Sequence, residues 1–218
     1  TIYEIIKNWM KHRFNWTLTD EDIHFCPPGV IPAACMLVDL LTEPGEEVFA
    51  FMPNYDSLYG TVEAMGRKLV TAPLLCAATP AATCGDWTLD LDAFEKIVRD
   101  RKIHLALFCS PHNPVGRVWT VEELQTLGAI CKKHNVTVIS DEIHCDLIRC
   151  GKRHVPTGLV APDYPKLITC MAASKTFFSP AGPMFRTEAS SPCLAFSFSS
   201  ISSLMTPTYS SASSSSIL

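Results

Sequence analysis

The sequence predicts an α/β protein: a three-layer, mostly parallel sheet with helices on both faces. Three short apolar runs carry this prediction, at residues 103–109, 136–140 and 167–171. Each run is continuous rather than alternating, which is typical of strands buried on both faces of a parallel sheet. Helix-length segments separate the strands along the chain, as right-handed crossover connections require.

The composition of the 218-residue chain is that of a globular protein. Hydrophobic residues make up 47% and charged residues 18%, which is far from a disordered composition. The net charge of −4 and the lack of a basic stripe argue against nucleic-acid binding. No apolar run is long enough to cross a bilayer, and no secretory signal is visible at the N-terminus. The chain does not begin with Met, so we expect a fragment.

Ten cysteines are present, but none forms a Cys-x-x-Cys pair or has a histidine at ligand spacing. Most lie in or beside apolar segments. We therefore expect reduced thiols that pack as small hydrophobic groups, no metal site and a cytoplasmic location.

The first half of the chain alternates between predicted helices and strands. A helix is predicted from apolar spacing at 3–14, followed by a short extended piece at 23–26. Pro27-Pro28-Gly29 opens an apolar helix, and Pro44-Gly45 ends it after Leu41. The elements that follow are a strand at 47–52, a helix at 55–65, a strand at 68–73 and a loop at 75–85.

The second half continues the alternation and then loses it. A helix is predicted at 91–99, and a second helix begins at the capping box of Thr120 and reaches His134. Residues 187–218 are rich in Ser and show neither a helical nor a strand period, so we expect them to be disordered or poorly packed. The predicted organisation is 1–28 as N-terminal helix and connector, 29–182 as the main domain and 183–218 as tail.

Three of the strands end in polar side chains. Asn113 follows the first buried run, Asp141 follows the second, and Lys175 follows the third. Ligands of open α/β sheets bind beyond the carboxyl ends of the strands, so we expect these three groups to meet at one edge.

An amine, an acid and an amide suit the edges of pyridoxal 5'-phosphate. Lys175 can form a Schiff base with an aldehyde, Asp141 can keep a pyridine nitrogen protonated, and Asn113 can donate to a phenolate oxygen. Tyr55 can stack on the ring. The candidate phosphate contacts are Ser174 and the helix-opening backbone of Gly29, Val30 and Ile31.

Several ordered motifs resemble those of a known family. They are SPHNPVGRVW from Ser110, SDEIH from Ser140, SKTF from Ser174 and the early PNYD from Pro53. Together they are similar to the fold-type-I pyridoxal-phosphate enzymes, the aminotransferases of class I and II, and within them to the cystathionine β-lyase-like C–S lyase branch. The resemblance covers about residues 3–177.

The resemblance implies roles for single residues. Lys175 would be the cofactor-binding lysine and the base that moves the Cα proton, Asp141 would face the pyridine nitrogen, and Asn113 would bond the phenolic oxygen. His144 stands where many transaminases have a tyrosine, so either a cofactor contact or a supporting polar role is open. The family also implies a homodimer and a small amino-acid substrate.

The sequence departs from the family after the lysine. Phe178 replaces the usual Asn, only Ala181-Gly182 remain of the following motif, and the arginine that grips the substrate carboxylate has no counterpart. We therefore expect a chain incomplete at both ends.

Three functions follow from these motifs. The first is a C–S β-lyase that releases thiol, pyruvate and ammonia from cystathionine or cysteine-type amino acids. The second is an aminotransferase built on the same residues, and the third is an inactive fragment. A nucleotide-binding Rossmann domain is disfavoured, because no Gly-x-Gly-x-x-Gly follows an early strand.

Overall fold

The computed structural model describes residues 1–26, 29–76, 87–148 and 151–176, and the backbone of 195–198. The helices in these ranges are α1 (Ile2–Phe14), α2 (Val30–Leu41), α3 (Asp56–Ala64), α4 (Leu91–Arg101), α5 (Val121–His134) and α6 (Thr157–Val160). The strands are β1 (Ile23–Phe25), β2 (Glu47–Met52), β3 (Lys68–Pro73), β4 (Leu75–Cys76), β5 (Trp87–Thr88), β6 (Leu105–Cys109), β7 (Thr137–Asp141), β8 (Leu167–Ala172) and β9 (Ala195–Phe198).

Seven strands form one sheet in the order β1-β9-β8-β7-β6-β2-β3. The pairs within the run from β8 to β3 are all parallel. Strand β9 is antiparallel to both of its neighbours, β8 and β1. The prediction of a mostly parallel sheet with helical crossovers is therefore confirmed.

Helices cover both faces of this sheet, and each face buries its own apolar cluster. The two clusters exist because alternate residues of each central strand point to opposite faces. The cluster on the α2 and α3 face includes Val38, Leu58, Leu107 and Ile139. The cluster on the α4 and α5 face includes Phe94, Phe108, Leu124 and Val138. Each fully buried side chain of this size contributes roughly 1.5–3 kcal/mol.

Helix α1 packs as a third unit against β1 and the end of β8. It begins at a capping box in which Thr1 and Glu4 satisfy each other's backbone N–H groups. Residues Ile6, Met10 and Phe14, four apart, form its buried stripe, and Met171 of β8 belongs to the same cluster. The predicted helix at 3–14 is thus present. In the part of the chain described here, no helix combines the length and apolarity that a bilayer crossing needs.

Two short strands differ from the sequence expectation. The predicted loop at 75–85 begins with β4, which pairs with β5 over two residues, too few to leave a period in the sequence. The second is β9, which lies inside the stretch for which we expected neither helix nor strand. The expectation is wrong for 195–198, because partners far away in the chain, Thr169 and Ile23 opposite Phe198, determine this strand. The rest of 177–218, like the proposed boundaries at 28 and 182, lies outside the described residues.

Candidate active site

A cavity of about 170 Å³ lies where the parallel strands end. Its walls are Val30, Ile31, Tyr55, Cys109, Asn113, Asp141, Ile143, His144 and Lys175. The structure thus brings together seven of the nine residues predicted to form a site. The two others, Gly29 and Ser174, are chain neighbours of lining residues but do not line the cavity themselves.

Strand register explains why these groups meet. Cys109 at the end of β6 pairs with Asp141 at the end of β7, which in turn pairs with Cys170 of β8. Backbone bonds continue the ladder beyond the strands: Ser110 N donates to Asp141 O over 3.0 Å. Strands β6 and β7 therefore end level with one another and β8 continues to Ala172, so the loops that leave the three strands start from the same edge of the sheet.

Asp141 is the most deeply placed polar group of the cavity. It is 5% exposed, and burial raises its pKa to about 6. Its Oδ1 accepts a bond from Ile143 N over 3.1 Å, which opposes this shift. Glu142 raises the pKa further and the positive charge of Lys175 lowers it, so the lysine lies close enough to act on this acid.

Lys175 lies in the turn that follows β8, and its side chain is exposed at the mouth of the cavity. Ser174 is half-buried in the same turn.

Asn113 lies in the loop after β6 and is held by a residue that the sequence analysis missed. Asn113 N donates to Cys109 Sγ over 3.4 Å, while this thiol donates to Pro111 O over 3.3 Å. Burial raises the pKa of Cys109, so the group stays a thiol and not a thiolate. The sequence did contain a signal for this role of Cys109, because Cys109 is the last residue of a predicted buried strand. Ile143, missed as well, supplies the backbone N–H that binds Asp141.

The N-terminus of α2 forms another wall of the cavity. Gly29 is the N-cap, with a φ of 158° that L side chains rarely adopt, and no side chain of the described residues caps the helix. The first N–H groups of a helix lack intrahelical acceptors, and Pro32 carries no N–H. Among the residues that the structure describes, no helix carbonyl accepts from the N–H groups of Val30 and Ile31, a setting that suits an anion.

An aromatic ring and an imidazole complete the walls. Tyr55 is the N-cap residue of α3 and is 38% exposed. Asn54 Oδ1 fixes the start of that helix by accepting from Tyr55 N over 2.7 Å. His144 is half-buried, and its burial, followed by the charge of Lys175, lowers its pKa. At neutral pH we therefore expect a neutral imidazole beside the lysine.

Sequence reasoning assigned no role to His112, and the structure buries it between two loops of the site. Its Nε2 lies 2.7 Å from Pro53 O and its Nδ1 lies 3.2 Å from Cys109 O. The ring thus connects the loop that presents Tyr55 with the loop that presents Asn113. Burial lowers the pKa of His112.

The donor set fits an aromatic heterocycle that carries an aldehyde and an anionic group. A primary amine, a buried acid, an amide, an aromatic ring and an uncapped helix N-terminus surround one space. Within the described ranges, no group of three or more His, Cys, Asp or Glu side chains is arranged to hold a metal ion.

The chain is similar in sequence to lyases and transaminases. It is 39% identical over 175 residues to cystathionine β-lyase PatB of Bacillus subtilis, covering 80% of this chain and 43% of that protein. It is 32% identical to the protein MalY of Escherichia coli, covering 81% and 43%. It is 33% identical to kynurenine–oxoglutarate transaminase 3 of Rattus norvegicus, covering 63% of this chain and 30% of that protein. The chain thus spans less than half the length of these relatives.

Solved structures agree with the sequence comparison. The PLP-bound C–S lyase of Staphylococcus hominis superposes with a TM-score of 0.80 at 32% identity, covering 93% of this chain and 47% of that one. Cystalysin of Treponema denticola, a structure that contains pyridoxal 5'-phosphate, gives a TM-score of 0.78 at 32% identity over 91% of this chain and 46% of its own. The family model of the aminotransferases of class I and II matches residues 4–217. The chain therefore belongs to the aminotransferase class I and II family.

Proposed function

We propose that this chain is the cofactor-binding part of a pyridoxal 5'-phosphate-dependent C–S β-lyase. The substrates would be cystathionine or cysteine-type amino acids, and the products thiol, pyruvate and ammonia. One observation carries the proposal: Lys175, Asp141 and Asn113, which follow three different strands, line one cavity together with the free N-terminus of α2. Two similar proteins, cystathionine β-lyase PatB and the C–S lyase of Staphylococcus hominis, support the choice of a lyase reaction.

Each part of the cavity suits one edge of the cofactor. The Lys175 amine would hold the aldehyde, Asp141 the ring nitrogen and Asn113 the phenolic oxygen. Tyr55 would stack on the ring face. The phosphate would take the N–H groups of Val30 and Ile31, with Gly29 and the Ser174 hydroxyl as further contacts.

The bound cofactor supplies electron withdrawal from the Cα atom of the amino acid. Once the substrate amine replaces Lys175 on the aldehyde, the released Lys175 Nζ would act as the base that removes the Cα proton. Asp141 is poorly stabilised as an anion when alone, since its pKa is raised to about 6, and a cationic ring nitrogen opposite it would favour its ionised form. His144, neutral because its pKa is lowered, can exchange a hydrogen bond beside the lysine without adding positive charge.

Transamination of amino acids is the second candidate. The transaminase relatives favour it, since the rat enzyme is 33% identical over 139 residues. Lys175 would remove the same proton in both reactions. The two reactions would differ afterwards: a lyase would break the C–S bond at Cβ and release a thiol, whereas in a transaminase Lys175 would move the proton on and the substrate would lose its amino group.

Covalent trapping tests the cofactor assignment. We expect added pyridoxal 5'-phosphate to give the 218-residue chain a visible absorbance band, and borohydride to fix the cofactor on the peptide that contains Lys175. Lys175→Ala should abolish the fixation. Lys96→Ala, which removes an exposed lysine of α4, is the matched control and should leave it unchanged. Fixation on other lysines, or none, would contradict the proposal.

Product analysis then separates the two reactions. Pyruvate and thiol released from L-cystathionine indicate the lyase, and amine transfer that depends on an added keto acid indicates the transaminase. Fixation at Lys175 without either activity is the outcome expected of an inactive fragment.

Three further features stay proposals. We propose a homodimer, which sedimentation tests, and a cytoplasmic location, which the free thiols of Cys26, Cys35, Cys109, Cys131 and Cys145 support. We also propose the division of the chain into 1–28, 29–182 and 183–218, which limited proteolysis tests.

A further inference from the structure

One carboxylate connects the lysine turn to the N-terminal helix. Asp146 Oδ2 accepts a hydrogen bond from Thr176 Oγ1 over 2.9 Å, and Thr176 directly follows Lys175. The other oxygen, Oδ1, lies 2.9 Å from Arg13 Nε in the last turn of α1. Asp146 is therefore shared between two segments that are far apart in the sequence.

The position of Asp146 is itself well fixed. It lies in the turn after β7, where Cys145 N donates to Glu142 O and Leu147 N donates to His144 O, each over 2.9 Å. Its side chain is 7% exposed, while that of Arg13 is 42% exposed. Asp146 Oδ2 accepts a further bond from Cys145 Sγ over 3.8 Å. A buried carboxylate paired with a guanidinium makes the stronger class of hydrogen bond.

The lysine turn has few other attachments. Strand β8 ends at Ala172, so residues 173–176 leave the sheet. Within the described chain, the bond from Thr176 to Asp146 is the one side-chain hydrogen bond recorded for these four residues. The far end of the connection is rigid, because Met10 and Phe14 of α1 are buried in the cluster that contains Met171 of β8.

We propose that Asp146 is a positioning residue for Lys175, acting through the Thr176 hydroxyl, with Arg13 holding the carboxylate in place. This inference rests on the proposed function, in which Lys175 holds the cofactor. The turn after β7 then serves the site twice. It presents His144 to the cavity directly, next to Asp141 at the end of β7, and through Asp146 it fixes the direction from which the lysine enters.

Two substitutions of Thr176 separate the hydroxyl from the side-chain shape. Thr176→Val keeps the shape and loses the donor, whereas Thr176→Ser keeps the donor and loses a methyl group. The full chain is mixed with pyridoxal 5'-phosphate, quenched with borohydride at timed intervals, and the adduct at Lys175 is quantified by peptide mass spectrometry. We expect adduct formation to be about tenfold slower in Thr176→Val and within about twofold of the parent in Thr176→Ser, because a hydrogen bond to a charged group is lost only in the first.

A second probe makes the test independent of the cofactor. Timed reductive methylation with formaldehyde gives the reactivity of Lys175 relative to Lys96. We expect this ratio to change by more than about threefold in Thr176→Val and in Asp146→Asn, and to stay unchanged in Thr176→Ser. Asp163→Asn, which removes an exposed ion pair with Lys132, is the matched charge control and should leave the ratio unchanged.

The results distinguish the two proposals. If the parent chain gives no adduct at Lys175, the proposed function fails, and the formaldehyde ratio alone decides the positioning role. Equal behaviour of the Val and Ser variants overturns the inference in either assay, whether both are altered or neither is, because the hydroxyl would then not be what holds the turn.

Discussion

Asp141 and Glu142 are adjacent carboxylates at the end of β7 with opposite surroundings. Successive residues of a strand point to opposite faces, so Asp141 lies on the cavity side with α2, and Glu142 lies on the side of α6. Glu142 is fully buried and accepts bonds from His154 Nε2 over 2.7 Å, Thr157 N over 2.9 Å and Ser140 Oγ over 3.0 Å. The carboxylate of Asp141, almost as deeply buried, accepts a single described bond, from Ile143 N.

The difference separates stability from function. Glu142 has partners for both of its oxygens, so its burial holds α6 and the loop of His154 against the sheet. Asp141 lacks such partners, and its raised pKa reports the cost of keeping it ionised there. An acid that is buried but poorly paired suits a group whose partner is a ligand.

Removing the charge of Glu142 should have the largest effect on stability. We expect Glu142→Gln to lower the free energy of unfolding by about 3–5 kcal/mol, because it takes the carboxylate from a buried pair and leaves His154 without it. Urea unfolding followed by circular dichroism measures this. The folded fraction should still bind pyridoxal 5'-phosphate.

Glu63→Gln is the control for this prediction. Glu63 is exposed on α3, and its substitution should change stability by less than about 0.5 kcal/mol. A loss of cofactor binding by folded Glu142→Gln, at unchanged stability, would reverse the roles that we assign to the two carboxylates.

Removing the charge of Asp141 should stabilise the cofactor-free chain. Burial raises its pKa from 3.8 to about 6, so the folded state binds the proton more tightly than the unfolded state does. Stability is therefore lost as the pH rises from about 4 to about 6, and the full cost is present above that range. We expect Asp141→Asn to raise the free energy of unfolding by about 3 kcal/mol at pH 8 and by about 1 kcal/mol at pH 4.5.

The same substitution should weaken the retention of pyridoxal 5'-phosphate, which equilibrium dialysis measures. A stabilisation that does not depend on pH would show that the carboxylate carries no burial cost. Unchanged retention of the cofactor would show that Asp141 does not face the ring nitrogen.

The smallest effect is expected at Ser140. Ser140→Ala removes one donor from Glu142 and should lower the free energy of unfolding by about 1 kcal/mol. The double variant Ser140→Ala with Glu142→Gln should lose less than the sum of the two single losses, because Ser140 donates to a charged carboxylate in the parent but to a neutral amide in Glu142→Gln. Strict additivity in urea unfolding would show that the two side chains act independently.

The sequence was sufficient to predict the position of the polar groups that directly follow the ends of strands. Asn113, Asp141 and Lys175 each follow a continuous apolar run, and parallel strands deliver such residues to one edge. Val30 and Ile31 follow from the helix start at Gly29. For these five residues, local pattern therefore predicts that they meet, whereas His144 was predicted from the family resemblance.

What the sequence could not show depends on contacts between distant segments. His154 and Glu142 form a pair only because of the face that Glu142 takes at the strand end, and Arg13 meets Asp146 across 133 residues. Strand β9 is the same case, since its backbone partners are on β8 and β1. The Ser-rich composition of residues 183–218 predicted no strand, although Phe196, Ser197 and Phe198 alternate between apolar and polar side chains.

The place of β9 in the sheet has a consequence for the order in which the chain acquires its structure. In the described sheet, β1 adjoins β9 alone, and β9 separates it from β8. A ribosome makes residues 23–25 long before residues 195–198, and domains form as the chain emerges. Strand β1 must therefore wait for β9 before it can join the sheet. During that interval β8, the strand that precedes the Lys175 turn, presents an open edge on which a chaperone or a second nascent chain could pair.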